Sequence, residues 1–500
     1  MERSTAAASS LASIFSSATG TSCREAPQRT EGRLQQVGRC FLDPGGARTT
    51  LMKAMDTETT TQVGALKRVL ALSYPLIVAN LSQIVLGLVD TAMISRVSTE
   101  ALAAAAVASS VNIAAGMLFG GWATAAQVIS ARRFGEGRPA AVGQLLDIAL
   151  LVGTGAGIVV LLILSIGAGP LLAAFGLSEA VRAEGVPYLR ILAFAAPFAA
   201  ATAMFRAVYA GVGETSVAMR MTLIVNVINI PLNYVLIFVA GWGLLGAGVG
   251  TVIAVAIGCA YMVQFGWRRL RDTYALFGFR RLRRYREVLP RLWSIGWPET
   301  AMLFLGYANN VLVVWIVAAL GTSVIAGMQI ITNVQNILWT VIWALSSGVS
   351  ILVGQSLGSR DERAAALTQR AGLLLMVALP AIFLAPMLVA PTLVLHLLTP
   401  DGSVVSEASR TLPFLALQVP FMAASMVLAA VLRAAGDSKW VLYASTASSY
   451  LVMVPLSWLL AGPVGWGLPG IYVAGVAFFA ARTAISWWRY RQGAWRTAEV

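Results

Sequence analysis

Apolar runs long enough to cross a lipid bilayer recur along most of this chain, and nothing else in the sequence restricts its folding so tightly. A hydrocarbon core about 30 Å thick takes about 20 helical residues to span. Lipid offers no hydrogen bonds, so each run must satisfy its own backbone, and a helix does this within one segment. The Leu, Ala, Val and Ile content also lacks the alternation of a membrane barrel. Twelve runs are legible, at roughly 69–94, 101–129, 143–170, 187–209, 219–240, 244–266, 293–319, 323–352, 367–397, 411–432, 440–461 and 466–488. With 58% hydrophobic and only 12% charged residues, the chain has too little polar surface for a water-soluble particle. The expected fold is an all-α polytopic membrane protein of about 12 transmembrane helices.

A net charge of +14 could suggest a nucleic-acid partner, but its distribution points to the bilayer instead. Positive charge gathers in every second loop: Arg132, Arg133 and Arg138; then Arg206 and Arg220; nine arginines from Arg268 to Arg291; Arg360, Arg363 and Arg370; Arg433 and Lys439; and Arg489, Arg491 and Arg496. The intervening loops hold little beyond Arg96, Arg182, Arg190 and Arg410. The positive-inside rule then makes the basic loops and both chain ends cytoplasmic, in a multi-pass protein of the plasma membrane. It is expected to act as a monomer. Cys23, Cys40 and Cys259 form no disulfide framework or metal-ligand spacing, and His396 has no metal-binding companion and reads as a helix-end residue.

The chain repeats itself. Pro75 and Pro298, Gly135 and Gly358, and Gly213-Glu214-Thr215 and Gly436-Asp437-Ser438 all stand 223 positions apart. Pro231-Leu232 and Pro455-Leu456, like Gly241-Trp242-Gly243-Leu244 and Gly465-Trp466-Gly467-Leu468, stand 224 apart, as one inserted residue would require. An even number of spans per half keeps both halves in one orientation, so the repeat is parallel, a known transporter design with its cavity at the interface. The expected organisation is a polar tail over 1–60, an N-lobe over 67–267, a cytoplasmic basic linker over 268–291, a C-lobe over 292–490 and a cytoplasmic tail over 491–500.

Polar side chains inside the runs are the candidates for chemistry. Asn80, Gln83, Gly87 and Asp90 in the first run are spaced 3, 4 and 3, which places them on one helical face. Asp90 is either a functional intramembrane carboxylate or a helix-end acid satisfied by water; the polar stripe leading to it favours function. Thr222, Asn226, Asn229 and Asn233 make a similar stripe around Pro231, as do Gln329, Asn333 and Asn336 in the eighth run. Each of these stripes either lines a cavity or bonds helix to helix. Asp147 and Glu299 read as acids in the first turns of their helices, favoured by the helix dipole. No phosphate-binding Gly-rich loop, Ser-His-Asp set or zinc-ligand cluster is legible. The chain is therefore not expected to be an enzyme or to carry a cofactor, which leaves coupling to an ion gradient.

Several of these residues resemble the multidrug and toxic compound extrusion family. The likeness rests on Pro75, Gln83 and Val89-Asp90-Thr91, on Asn229-Ile-Pro-Leu-Asn-Tyr234, and on the Gly-Glu-Thr and Gly-Asp-Ser turns, and it runs from about Lys67 to Arg491. The resemblance implies two six-helix lobes and export of cationic and amphipathic organic compounds in exchange for H⁺ or Na⁺. It implies that Asp90 is the cation-coupling residue, with Asn80, Gln83, Thr91, Asn226, Asn229, Asn233, Gln329 and Asn333 in the substrate and cation cavity. The Na⁺-coupled branch carries acids where this chain has Gly306 and Met422, so a single first-lobe carboxylate points to H⁺.

The expected function is a proton-coupled multidrug efflux antiporter, with Na⁺ coupling as the alternative. A lipid-linked oligosaccharide flippase is the rival on similar architecture. It would want arginines inside the cavity for its anionic headgroup, and the runs hold almost none, Arg190 being the nearest case. A channel or scaffold is the rival of another class, and predicts flux indifferent to a pH gradient. Residues 1–54 are open to three readings: a cytoplasmic tail, an organelle transit peptide, or sequence upstream of a start at Met52 or Met55. Their lack of apolar content and of repeat partners favours a dispensable tail or misplaced start. A chain beginning at Met55 is accordingly expected to insert and transport as the full chain does; failure to reach the membrane fraction would mark the tail as a targeting signal.

Overall fold

The computed structural model describes residues 61–278, 285–320, 322–396, 402–493 and 495, which belong to one compact unit. The three readings of the N-terminal tail, with Cys23 and Cys40, lie outside the described residues.

The first lobe is α1 (Gln62–Ile94), α2 (Thr99–Gly135), α3 (Pro139–Ala174), α4 (Glu179–Ala193), α5 (Ala195–Gly211), α6 (Thr215–Tyr234) and α7 (Gly243–Phe265). The second is α8 (Tyr285–Ala318), α9 (Thr322–Gly358), α10 (Glu362–Val389), α11 (Pro391–His396), α12 (Gly402–Ala434), α13 (Ser438–Ala447), α14 (Val454–Ala461) and α15 (Leu468–Arg491). Eleven helices among the described residues are long and apolar enough to cross a membrane, and α4 with α5, bent by 42°, makes twelve. The bend follows from sequence: Pro197 cannot donate to the Ala193 carbonyl, and its ring crowds that carbonyl, so α4 ends there. Chain entry is set by side-chain caps, Thr61 accepting from Gly64 N at 3.2 Å and Ser98 from Ala101 N at 2.9 Å.

Each lobe packs through small residues. Ala101, Ala104, Ala105 and Ala108 are buried in one cluster, and Ala125 and Ala126 in another. Without a hydrophobic drive inside lipid, close backbone approach is what holds membrane helices together. Large apolar side chains such as Ile166, Leu451 and Val389 point outward, as a lipid-facing surface requires.

Helices run past the apolar stretches that announced them. α2 and α9 are each 37 residues long; α2 runs on because arginine is a good helix former and Arg132 and Arg133 sit in its last turn. The expected basic linker is likewise shortened from both sides: α7 continues through a π-helical turn to Tyr274, and α8 begins at Tyr285. Asp147 is not a first-turn acid. It is buried further along α3, where Phe277 N and Gly278 N each donate to its carboxylate at 3.0 Å, fastening the linker to the first lobe. His396 closes α11 and is exposed, as a helix-end residue would be.

The lobes meet along a pseudo-two-fold seam. α1 approaches α9 where Gly348 lies against the Ser73 side chain, and α8 approaches α2 where Gly121 lies against Gly296 and Thr300. Ser73 and Gly296 are repeat mates at the 223-residue spacing. At the arginine-rich end the repeat mates Gly135 and Gly358 meet one another's helices, Gly135 against Gln355 and Gly358 against Arg132 and Glu136. Gln355 Nε2 donates across the seam to Gly211 O at 2.9 Å, and Gln127 Nε2 to Ser347 Oγ at 3.1 Å. Any Cβ at Gly358 would strike backbone rather than a movable side chain, whereas Gly116 on α2 has open space. Gly358→Ala is therefore expected to lower stability by about 1–3 kcal/mol, the usual cost of overpacking. Thermal unfolding of the solubilised protein measures this, with Gly116→Ala as control. Equal midpoints for the two variants would show that the lobes do not close here.

Candidate functional site

Asp90 sits near the end of α1 that lies away from the arginine-rich loops, half-buried against α6. Asn233 Nδ2 donates both to Asp90 Oδ1 and to Asn229 Oδ1, at 2.9 Å each. The two asparagines are 1% exposed, so water is no substitute for these bonds. Asn233 Oδ1 is buried without a partner and faces Gly250 of α7, where any side chain would collide with it. Gly246, Gly250, Ala254 and Gly258 recur every fourth residue on α7, the small-residue spacing that lets two membrane helices approach closely. That spacing was the available sign that Gly250 positions the site, and sequence reasoning passed over it. No basic side chain lies within 4.0 Å of Asp90 among the described residues.

The α6 stripe divides between its two readings. Thr222 Oγ1 donates to Ala218 O of its own helix at 3.0 Å, and Asn226 Nδ2 holds α6 to α1 by donating to Ser82 O at 2.9 Å. Only Asn233 reaches the acid, with Asn229 accepting from the same amide behind it. Thr91 Oγ1 is spent on Gly87 O, and Gln83 is exposed. Gln329 Nε2 donates to Asn333 Oδ1 at 3.3 Å on an exposed face of α9, apart from Asp90. Asn80 lines a different space, a cavity of about 450 Å³ between the lobes.

The second lobe repeats the clamp and drops the acid. Tyr450 OH donates to Leu305 O at 3.0 Å, and these positions are the repeat mates of Asn226 and Ser82. Where the first lobe has Asp90, Asn229 and Asn233, the second has Val313, Met453 and Ser457. Gly306 has open space around it and Met422 is buried and apolar, so neither supplies an oxygen. No group of three or more His, Cys, Asp or Glu placed to hold a metal occurs among the described residues.

The interlobe cavity corrects the expectation that the spans are nearly free of arginine. Arg206 of α5 and Glu299 of α8 line it, with Leu76, Asn80, Gln127, Trp343 and Ser347. Glu299 lies well inside α8 and accepts from Arg433 Nε at 2.9 and 3.1 Å, both partners being buried, so it is no first-turn acid served by a helix dipole. Arg482 of α15 is also buried, with no partner for its Nε. Arg206 and Arg433 were grouped by sequence with the cytoplasmic basic loops, and Arg482, inside the last apolar run, was passed over.

A model of the MatE family matches residues 75–235 and 298–459, two segments in the register of the internal repeat. A probable multidrug resistance protein NorM of Photorhabdus laumondii is 27% identical over 411 residues, covering 79% of this chain and 88% of that protein. The multidrug resistance protein NorM of Vibrio cholerae is 27% identical over 408 residues, covering 79% and 87%. Among solved structures, the Vibrio cholerae MATE transporter VcmN superposes with a TM-score of 0.79 at 19% identity, covering 87% of this chain and 98% of that one. A eukaryotic MATE transporter gives 0.72 at 17% identity, covering 87% and 98%. Those structural likenesses speak for the fold, and the family match over both lobes speaks for descent: the chain belongs to the MatE family of multidrug and toxic compound extrusion transporters.

Proposed function

We propose that this chain is a multidrug efflux antiporter of the plasma membrane, with cytoplasmic termini, that exports organic cationic compounds as a monomer in exchange for H⁺ at Asp90. One observation carries the reading: Asp90 is held by the neutral amide of Asn233, with no basic side chain within 4.0 Å among the described residues. Its negative charge is therefore available to a proton or to a cationic cargo, and the two exclude one another. Mutually exclusive occupants of one site, presented alternately to the two sides, give exchange. The NorM relatives, whose names mark them as multidrug resistance proteins, support the cargo class. A proton needs one carboxylate, and the second lobe offers no further acid at the matching positions.

The amide pair gives the exchange a structural consequence. An ionised Asp90 accepts from Asn233 Nδ2; a protonated Asp90 has a hydrogen to donate. The unpartnered Asn233 Oδ1 is the acceptor at hand, and a half-turn of that amide exchanges donor for acceptor. Asn229 follows in the same sense, offering its own amide donor. Protonation thus reverses a buried two-residue network joining α1 to α6, where Pro231 already interrupts the helix ladder.

Asp90→Asn keeps the shape and cannot ionise, so gradient-driven efflux of a fluorescent cation from proteoliposomes should fall about ten-fold or more, while the protein stays monodisperse. Separately imposed gradients decide the ion: a pH gradient alone drives wild-type efflux, and efflux driven by Na⁺ alone would overturn the proton assignment. Retained pH-driven efflux in Asp90→Asn would return Asp90 to a helix-end role. Gly250→Ala should also depress gradient-driven efflux several-fold, because the new methyl displaces the Asn233 amide from Asp90. Wild-type efflux in that variant would remove the orientation of Asn233 from the mechanism.

A further inference from the structure

We propose that the interlobe cavity binds an anionic group of the cargo, a carboxylate held by Arg206, so that preferred substrates are cationic compounds that also carry a carboxylate on an apolar body. The inference rests on the exporter reading and assigns it a second recognition point, separate from Asp90.

Arg206 shares one cavity face of α5 with Ala203, Ala207 and Ala210. Among the described residues its guanidinium has no hydrogen bond and no carboxylate within 4.0 Å. The carboxylate in the same cavity, Glu299, is engaged by Arg433 through both oxygens. Behind that pair Arg482 adds a further buried positive charge with an unpartnered Nε. Arg206 and Glu299 line the cavity, and Arg433 and Arg482 stand behind Glu299, so the neighbourhood holds three guanidinium groups and one carboxylate. An uncompensated charge inside a bundle is costly, so its retention marks a place where a charge is to be met. Guanidinium is the side chain suited to it, since its planar fork matches a carboxylate with two parallel hydrogen bonds.

The cavity's remaining walls decide what the anion is attached to. Leu76, Met117, Leu303 and Trp343 are apolar, and about 450 Å³ is room for an organic molecule rather than a bare inorganic anion. Gln127 and Ser347, bonded across the seam, line the same cavity, so a carboxylate at Arg206 shares its space with a contact that joins the lobes.

The test uses two dyes differing in one charge: a xanthene dye with a free benzoic acid, and the methyl ester of the same dye. Fluorescence polarisation with the purified full chain measures both affinities. The acid is expected to bind about ten-fold tighter than the ester, the worth of a charge-assisted hydrogen bond. Free benzoate should compete with the acid and not with the ester. Arg206→Gln should erase the preference by weakening the acid alone, and Arg206→Lys should restore part of it. Equal binding of acid and ester to the wild-type chain overturns the proposal, and so does a preference that survives Arg206→Gln. A loss of both affinities together in Arg206→Gln assigns the arginine a structural role and overturns it too. Should Arg206→Gln fail to fold, the wild-type dye comparison and the benzoate competition decide alone. Asp90→Asn must keep the preference for the acid, raised if anything because a distant competing negative charge is gone. A failure of gradient coupling there thus condemns the coupling assignment and not this subsite, whereas loss of the preference in that variant overturns the subsite.

Discussion

Hydrocarbon supplies no hydrogen-bond partners, and the polar arrangement of this protein follows from that lack. A buried amide or carboxylate must be answered by another group in the bundle or left unmet at a cost. Most are answered locally: Thr91, Thr222 and Thr251 return their hydroxyls to the preceding helical turn. Asn226 and Tyr450 are answered across helices, each by a carbonyl in the first helix of its own lobe. Against that background the unanswered groups stand out. Among them are the oxygens of Asn226 and Asn233 and the Nε of Arg482, while Asp90 and Arg206 meet no opposite charge within 4.0 Å among the described residues.

The two lobes share a scaffold and differ in chemistry. Paired prolines, paired Gly-Asp/Glu turns and a matching side-chain-to-carbonyl clamp show that each half folds by the same rules. At the acid's level the halves part, with carboxylate and two amides in one lobe and valine, methionine and serine in the other. On the proposed reading, a symmetric frame with an asymmetric site lets the lobes rock about a common seam while one of them responds to charge. The seam is narrow at the arginine-rich end because glycine meets backbone there, so it has a well-defined closed state.

The spans, the repeat and its register were readable because membrane solvent imposes a long, unambiguous signal. Where helices end was less readable, since arginines extend α2 and α15 instead of stopping them. The 3-4 spacing put Asp90 and Asn80 on one face, yet residues ten positions apart on a helix are separated by about 15 Å and serve different spaces. Which amides reach the acid was not readable, because that depends on the crossing of α1 and α6 and on the seat Gly250 makes for Asn233. The pairing of Glu299 with Arg433 was hidden for the same reason: the partners lie 134 residues apart, and nothing local in the sequence joins them.

Two charges of opposite sign thus stand unpaired in one bundle, Asp90 on α1 and Arg206 beside the cavity that Asn80 of α1 also lines. Asp90 lies about 15 Å along α1 from Asn80, which shares the cavity with Arg206, and at an effective dielectric near 20 two unit charges that far apart interact by about 1 kcal/mol. Neutralising either one therefore alters the other's hold on its ligand by about five-fold, and linkage makes the effect reciprocal. On the proposed reading, a carboxylate at Arg206 removes an attraction that had favoured the ionised form of Asp90. A proton on Asp90 removes an attraction that had competed with the carboxylate for Arg206. An anionic group at Arg206 and a proton at Asp90 thus favour one another, while a cationic group and a proton exclude one another at Asp90. Cargo bearing both charges meets the two effects in opposition, and the exchange follows the exclusion because contact at Asp90 outweighs an interaction carried over 15 Å.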